Sequence, residues 1–167
     1  YAFYLAQSLR DAGDIKESIA AYEARVAMGG WIEEVYFSKL QIAMLKERIG
    51  AAAAEVALAY LDAYDYRPAR AEAACEFARW NRQQRRFTVA RDFARIAMNT
   101  KLPNDVLFID RPVYDWRARD ELSIALYWCN EREEGARLCR ELLADPRLPN
   151  EQRERVAKNL GFALGNA

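Results

Sequence analysis

Side chains that do acid–base or nucleophilic chemistry are unevenly supplied here. The 167 residues include no histidine, so the commonest general base, proton shuttle and zinc ligand is missing, and with it Ser–His–Asp triads and zinc-water sites. Adjacent carboxylates occur at Glu33 with Glu34 and at Glu133 with Glu134. Both pairs fall at polar helix starts, where negative charge suits the helix dipole and solvent, whereas a catalytic acid needs a desolvated cleft to move its pKa. Gly29 and Gly30 lie between two helical stretches rather than between a strand and a helix, so they read as a helix stop and not as a phosphate loop. The odd set Cys75, Cys129 and Cys139 sits among apolar helical residues and reads as buried thiols of a reducing compartment. No catalytic residue, metal or cofactor is expected.

Two clusters remain. Arg79, Arg82, Arg85, Arg86, Arg91 and Arg95 surround Trp80 and Phe87, superficially a nucleic-acid patch with stacking residues. The aromatics fall on an apolar helical stripe and most of the arginines opposite it, so a solvated face is the preferred reading and no nucleic acid is expected. Tyr114, Asp115, Trp116 and Arg117 form the most distinctive group: they either anchor a partner, together with Trp31, or pin an irregular segment to the core.

The elements that must position these residues are helical. The chain is 52% hydrophobic and 30% charged, with 7 Gly and 5 Pro, a balance that favours long helices and one sizeable core. Lys plus Arg and Asp plus Glu number 25 each, which leaves no net field to steer polyanions. No apolar run is long enough to span a bilayer and no leader opens the chain, so a cytoplasmic location is expected. The start at Tyr1, already helical in pattern, reads as a piece of a longer polypeptide.

Apolar spacings of three and four, broken at Gly13, Gly30, Gly50 and Pro68, divide the chain into helical pairs. The expected pairs cover about 1–29, 31–67, 68–102 and 114–145, with an insertion at 103–117 and a capping helix at 150–164. Asp14 and Asn150 are candidate helix caps, and Pro112 is expected to forbid a continuous helix through the insertion. The expected fold is an all-α single domain, an α-solenoid of about four hairpins plus a C-terminal cap. Each hairpin is too apolar to stand alone and leans on the next.

Leu5, Ala6, Leu9, Gly13, Ile15 and Tyr22, then Ile42, Ala43, Gly50, Tyr60, Ala63 and Pro68, resemble the tetratricopeptide repeat, whose period is about 34 residues. The third pair keeps Phe77, Ala78, Phe87, Ala90 and Ala97 but has Arg85 at the turn glycine. Segments such as RVAMGGWIEEVYFS, AYDYRPARAEA and RPVYDWRARDELSIALYW resemble the helical repeat region attached to bacterial family 2 glycosyltransferases. That family's catalytic half carries an Asp-x-Asp metal motif, which this sequence lacks. The resemblance implies a non-catalytic interaction or scaffolding module of a larger enzyme.

In such arrays the first helix of each pair lines the inner, concave face. The expected contacts for a protein or peptide partner there are Phe3, Gln7 and Arg10, then Met44 and Arg48, then Arg79 and Arg82, then Tyr127. Self-association through Trp31 or Trp116 is a further expectation. The alternative is a small-ligand or enzymatic site near residues 110–117, lined by Arg111, Asp115 and Arg117 with a desolvated carboxylate.

Overall fold

A computed structural model describes residues 1–165. Among these residues there is no strand, and the contacts gather into two compact units. The first unit comprises Tyr1–Pro68 with the excursion Pro103–Ile109, and the second comprises Ala69–Leu102 with the chain from Asp110 onward.

The first unit holds α1 (Ala2–Ala12), α2 (Ile15–Ala27), α3 (Ile32–Arg48) and α4 (Ala53–Tyr66). Its core forms where the apolar stripes meet: Phe3, Ala6, Ile19, Tyr22, Ile42 and Leu45 are buried together. Ala6 is small enough to let α2 approach closely, and the Ser18 hydroxyl donates to the Ala6 carbonyl at 2.8 Å. The excursion packs on this unit through named anchors. Glu33 accepts the backbone N–H groups of Val106 (2.9 Å) and Leu107 (2.7 Å), and Arg67 Nε donates to Asp105 at 2.8 Å. Phe108 lies against Phe37, with ring centroids 4.8 Å apart. Glu33 is thus a backbone anchor and not a solvated charge. Val106 is left 80% exposed, because its anchor is its N–H and not its side chain.

The second unit holds α5 (Ala71–Gln83), α6 (Phe87–Asn99), α7 (Ala118–Trp128), α8 (Arg132–Ala144) and α9 (Asn150–Ala163). Small residues again set the spacing: Ala73, Ala74, Ala78, Ala90, Ala94 and Ala97 are all buried. Leu122, Leu126 and Leu138 complete one cluster, and Cys139, Leu142, Leu148 and Val156 seat α9 in another. A Cβ on Gly135 would meet the Ser123 carbonyl oxygen at 3.3 Å, so glycine there permits the close α7–α8 approach. All three cysteines are free, Cys75 and Cys139 buried.

Every hairpin turn closes in the same way. Gly13 and Gly50 have φ of 91° and 68°, and Arg85 and Asn130 adopt the same left-handed region at 59° and 64°. The N–H of the turn residue bonds three residues back and the next N–H five back, as in Asp14 to Leu9, Ala51 to Lys46, Arg86 to Asn81 and Glu131 to Leu126. This is the Schellman closure that usually selects glycine. The degenerate repeats keep the turn and supply it with residues that bear some strain.

Three local expectations are corrected. Pro112 does not break a helix: helical backbone begins at Arg111, runs through a π-helical turn at Val113–Arg117 and continues into α7. A proline in the first turn forfeits only an N–H that has no intrahelical partner. Asp14 stands at the α2 start without a side-chain cap bond. The position before α9 is Pro149, with Asn150 its first helical residue.

Candidate groove of the second unit

The deepest chemistry lies under the π-helical turn. Arg70 and Glu72 have side chains only 1% and 3% exposed and pair at 2.7 Å. Glu72 also accepts from the Tyr114 hydroxyl (2.8 Å) and the Asp110 N–H (3.2 Å), and that hydroxyl accepts the Ala71 N–H at 3.1 Å. Burial, reinforced by the Glu72 charge, pushes the Tyr114 phenol well above its ordinary value. Tyr114 therefore pins the segment to α5. Asp115 pairs outward with Arg147 at 3.2 Å, and Arg111 is exposed.

One layer above, α5, α7 and α9 wall a cleft of about 320 Å³ lined by Arg79, Arg82, Trp116, Arg117, Ile124 and Arg155. Its charges are stratified. Glu76, Asp120 and Glu121 form the lower layer, with side chains 9%, 8% and 12% exposed, whereas Arg79, Arg82, Arg117 and Arg155 are 21%, 27%, 25% and 40% exposed. Arg82 grips Glu121 bidentately at 2.6 and 3.0 Å, and Arg155 grips Asp120 at 3.1 and 2.8 Å. Arg117 joins Asp110 (2.6 Å) to Glu76, and Arg79 donates to Glu76 at 2.6 Å. The bidentate forks hold the Arg82 and Arg155 guanidiniums in place, and Arg117 and Arg79 are held by Glu76.

The carboxylates respond differently to this layering. Burial alone would raise Glu76, but Arg117 and Arg79 together hold it below the usual glutamate value. Asp120 and Asp110 go the other way, because burial, with added repulsion from neighbouring carboxylates, outweighs Arg155 and Arg82 at Asp120 and Arg117 at Asp110.

A second hollow, about 340 Å³, continues along α7 and shares Ile124 with the first; Ser123, Tyr127, Trp128, Asn159 and Phe162 complete it. It is aromatic. Trp128 stacks on Phe87 (4.9 Å, 10° between planes), Tyr127 and Phe162 lie 6.3 Å apart, and the Arg132 guanidinium lies over the Tyr127 ring at 5.1 Å.

Of the residues expected from sequence, Arg79, Arg82, Tyr127, Trp116 and Arg117 all line this two-part groove. Trp116 also packs against the α8–α9 core, as expected of a residue that pins the irregular segment. Phe3 is a correction: it is 2% exposed and packs inside the first unit's core, because its position on α1 faces α2 and α3. Gln7 and Arg10 are half-buried there, and Arg10 donates to Gln41 at 3.0 Å. Met44 and Arg48 are exposed on α3, and Trp31 is 47% exposed. The arginine run is not merely a solvated face, since Arg91 reaches Glu131 just before α8 (2.5 Å) and Arg95 reaches Glu134 on α8 (2.8 Å). Glu134 is thereby held below its ordinary value by Arg95. Trp128, Phe162 and Arg155 were missed by sequence reasoning. The α9 residues were read only as a cap, although a 3.6-residue wheel places 155, 159 and 162 on one side.

Among the described residues no group of acidic or thiol side chains could hold a metal ion, and no helix is long and apolar enough to cross a membrane. No family model and no curated protein matches this chain. Among solved structures, the crystal structure described as a kinesin light chain of Podosopora anserina with nearly identical TPR-like repeats is similar over 99% of this chain and 84% of its own, at 16% identity and a TM-score of 0.67. The chain thus has the all-α, tetratricopeptide-like fold of the α-solenoid class.

Proposed function

We propose that this chain is a non-catalytic module that binds a peptide segment of another protein, with the α5–α7–α9 groove as its principal contact. The observation that carries the reading is the groove's composition: an aromatic hollow large enough for one bulky side chain adjoins a row of fixed guanidiniums. Aromatic and arginine anchors of this kind dominate recognition energetics. The desolvated carboxylates near residues 110–117 are engaged by arginines or by Tyr114, which favours binding over acid–base chemistry. In the first unit Gln7, Arg10, Met44 and Arg48 form a separate, secondary contact. The resemblance to repeat regions attached to bacterial glycosyltransferases supports placing the module in such an enzyme, in the cytoplasm, where it positions a protein acceptor or a second subunit.

Peptides selected from a displayed library on the purified protein test this. Tyr127→Ala and Phe162→Ala should each weaken the selected peptides about tenfold or more, in line with loss of an aromatic anchor. Hydrogen exchange should slow in α5, α7 and α9. Selected peptides that bind both variants undiminished, or sugar-nucleotide turnover by the purified chain, would overturn the proposal.

A further inference from the structure

The first unit carries a depression that the groove above does not involve. α2 and α4 both pack on α3, and over α3 they flank an open hollow of about 510 Å³. Val26, Ile42 and Leu58 contribute its apolar surface, and Leu58 is 69% exposed. Glu23 stands on the α2 wall, and Glu55 and Asp62 stand on the α4 wall.

The charges are layered. Lys39 and Lys46 lie low, with side chains 14% and 25% exposed, and reach up to Asp62 (2.5 Å) and Glu23 (3.7 Å), which are 59% and 54% exposed. Lys39 is further sheltered by the Tyr66 ring, 5.4 Å from its ammonium. The cations are thus covered and the carboxylates face outward. The α4 sequence AAEVALAYLDAYDY contains no Lys or Arg, so the wall that carries Glu55 and Asp62 has no cation of its own.

Lys39 to Lys46 span roughly 10 Å of α3, two helical turns. A straight apolar floor of that length with carboxylates on both walls matches an incoming helix with one apolar stripe and cationic residues on either side of it. We infer that this groove docks a basic amphipathic α-helix of another protein. Its apolar stripe lies on Val26, Ile42 and Leu58, and its Lys or Arg side chains meet Glu23, Glu55 and Asp62. The inference stands on the first unit alone and does not depend on the peptide groove of the second.

The test uses the intact chain and a displayed library of helical peptides about 16 residues long, with apolar residues fixed at i, i+3, i+4 and i+7 and the flanking positions randomised among Lys, Glu and Gln. Selection should enrich Lys at the flanks. The winning peptide should bind at least fivefold more weakly to Leu58→Gln and to the Glu55→Lys variant, and binding should fall with added salt, while Glu151→Lys on α9 leaves it unchanged. All the altered residues are exposed, so folding is preserved. Enrichment of Glu, no enrichment at all, or equal binding by Leu58→Gln would overturn the inference. A dimer that Leu58→Gln converts to monomer would also overturn it, because the groove would then be a contact between copies.

Discussion

The two grooves rest on the same helical-hairpin geometry and stack their charges in opposite order. In the second unit the carboxylates Glu76, Asp120 and Glu121 are the sheltered layer and arginines face the cleft. In the first unit the lysines are sheltered and Asp62 and Glu23 face out. A chain with equal numbers of acidic and basic residues therefore presents local surfaces of opposite sign. Composition cannot show this, because the sign of a surface is set by which partner of each pair reaches solvent. Side-chain type contributes too: arginine can be held bidentately and still offer donors, whereas a lysine is a single point charge.

The sharpest test of this contrast is the depth of the pairs beneath each groove. Arg70→Met should cost about 3–5 kcal/mol in urea unfolding, since it strips a nearly fully buried carboxylate of its cation. Lys39→Met should cost less than about 1 kcal/mol, because Asp62 remains hydrated. Equal costs would show that the layering has no energetic content.

The turns offer a second comparison at smaller scale. Gly50→Ala should destabilise by about 1–2 kcal/mol, as a Cβ is disfavoured at positive φ. Arg85→Gly and Asn130→Gly in the second unit should be neutral or stabilising by up to about 1 kcal/mol, relief of strain being partly offset by unfolded-chain entropy. Destabilisation by either glycine would mean that the Arg85 or Asn130 side chain matters more than its backbone.

A tyrosine pair in the first unit distinguishes packing from polar satisfaction. The Tyr22 hydroxyl is buried with no partner among the described residues, and burial pushes its phenol up to about 12. The Tyr60 hydroxyl donates to Glu47 at 2.6 Å. Tyr22→Phe should be neutral or stabilising by about 1 kcal/mol, whereas Tyr60→Phe should destabilise by about 1–2 kcal/mol. Thermal melts of the two variants moving in the same direction would refute that assignment.

The smallest effect is in the acid limb. The depressed Glu76 adds stability that is present above the unfolded glutamate pKa and is lost as pH falls through its folded value. Asp120 and Asp110 are raised, so their favourable contribution exists below the unfolded aspartate pKa and disappears as pH rises through the folded one. At neutral pH Glu76→Gln should therefore cost more than Asp120→Asn, and the gap should close on acidification below about pH 4. A gap that is independent of pH would contradict the assigned directions.

The hairpins of the first unit were legible because Gly13, Gly50 and the spacing of Tyr22, Tyr60 and Ala63 are local signals. The third turn was harder to read because Arg85 fills a glycine position, and the fourth because the insertion displaces it and Asn130 carries no distinctive spacing. Half of the groove was legible. Arg79, Arg82 and Tyr127 follow from helix phase once the pairs are aligned. Arg155 and Phe162 do not, since their role depends on where α9 comes to rest. Phe3 was misplaced for a local reason, as a one-position error of phase moves a side chain by about 100° around a helix.

The sequence by itself determined the helices, most of their turns and the absence of histidine chemistry, since periodicity, helix stops and composition are properties of neighbours along the chain. Only the tertiary structure decided which charges are covered and which are offered, that Tyr114 hangs from Glu72, and that α9 is a wall of the groove as well as a cap. These depend on residues far apart in the chain meeting in space, as Tyr114 meets Glu72 and Arg155 meets Asp120 at 2.8 Å across 42 and 35 positions, and no local pattern encodes which partner of such a pair will face the water.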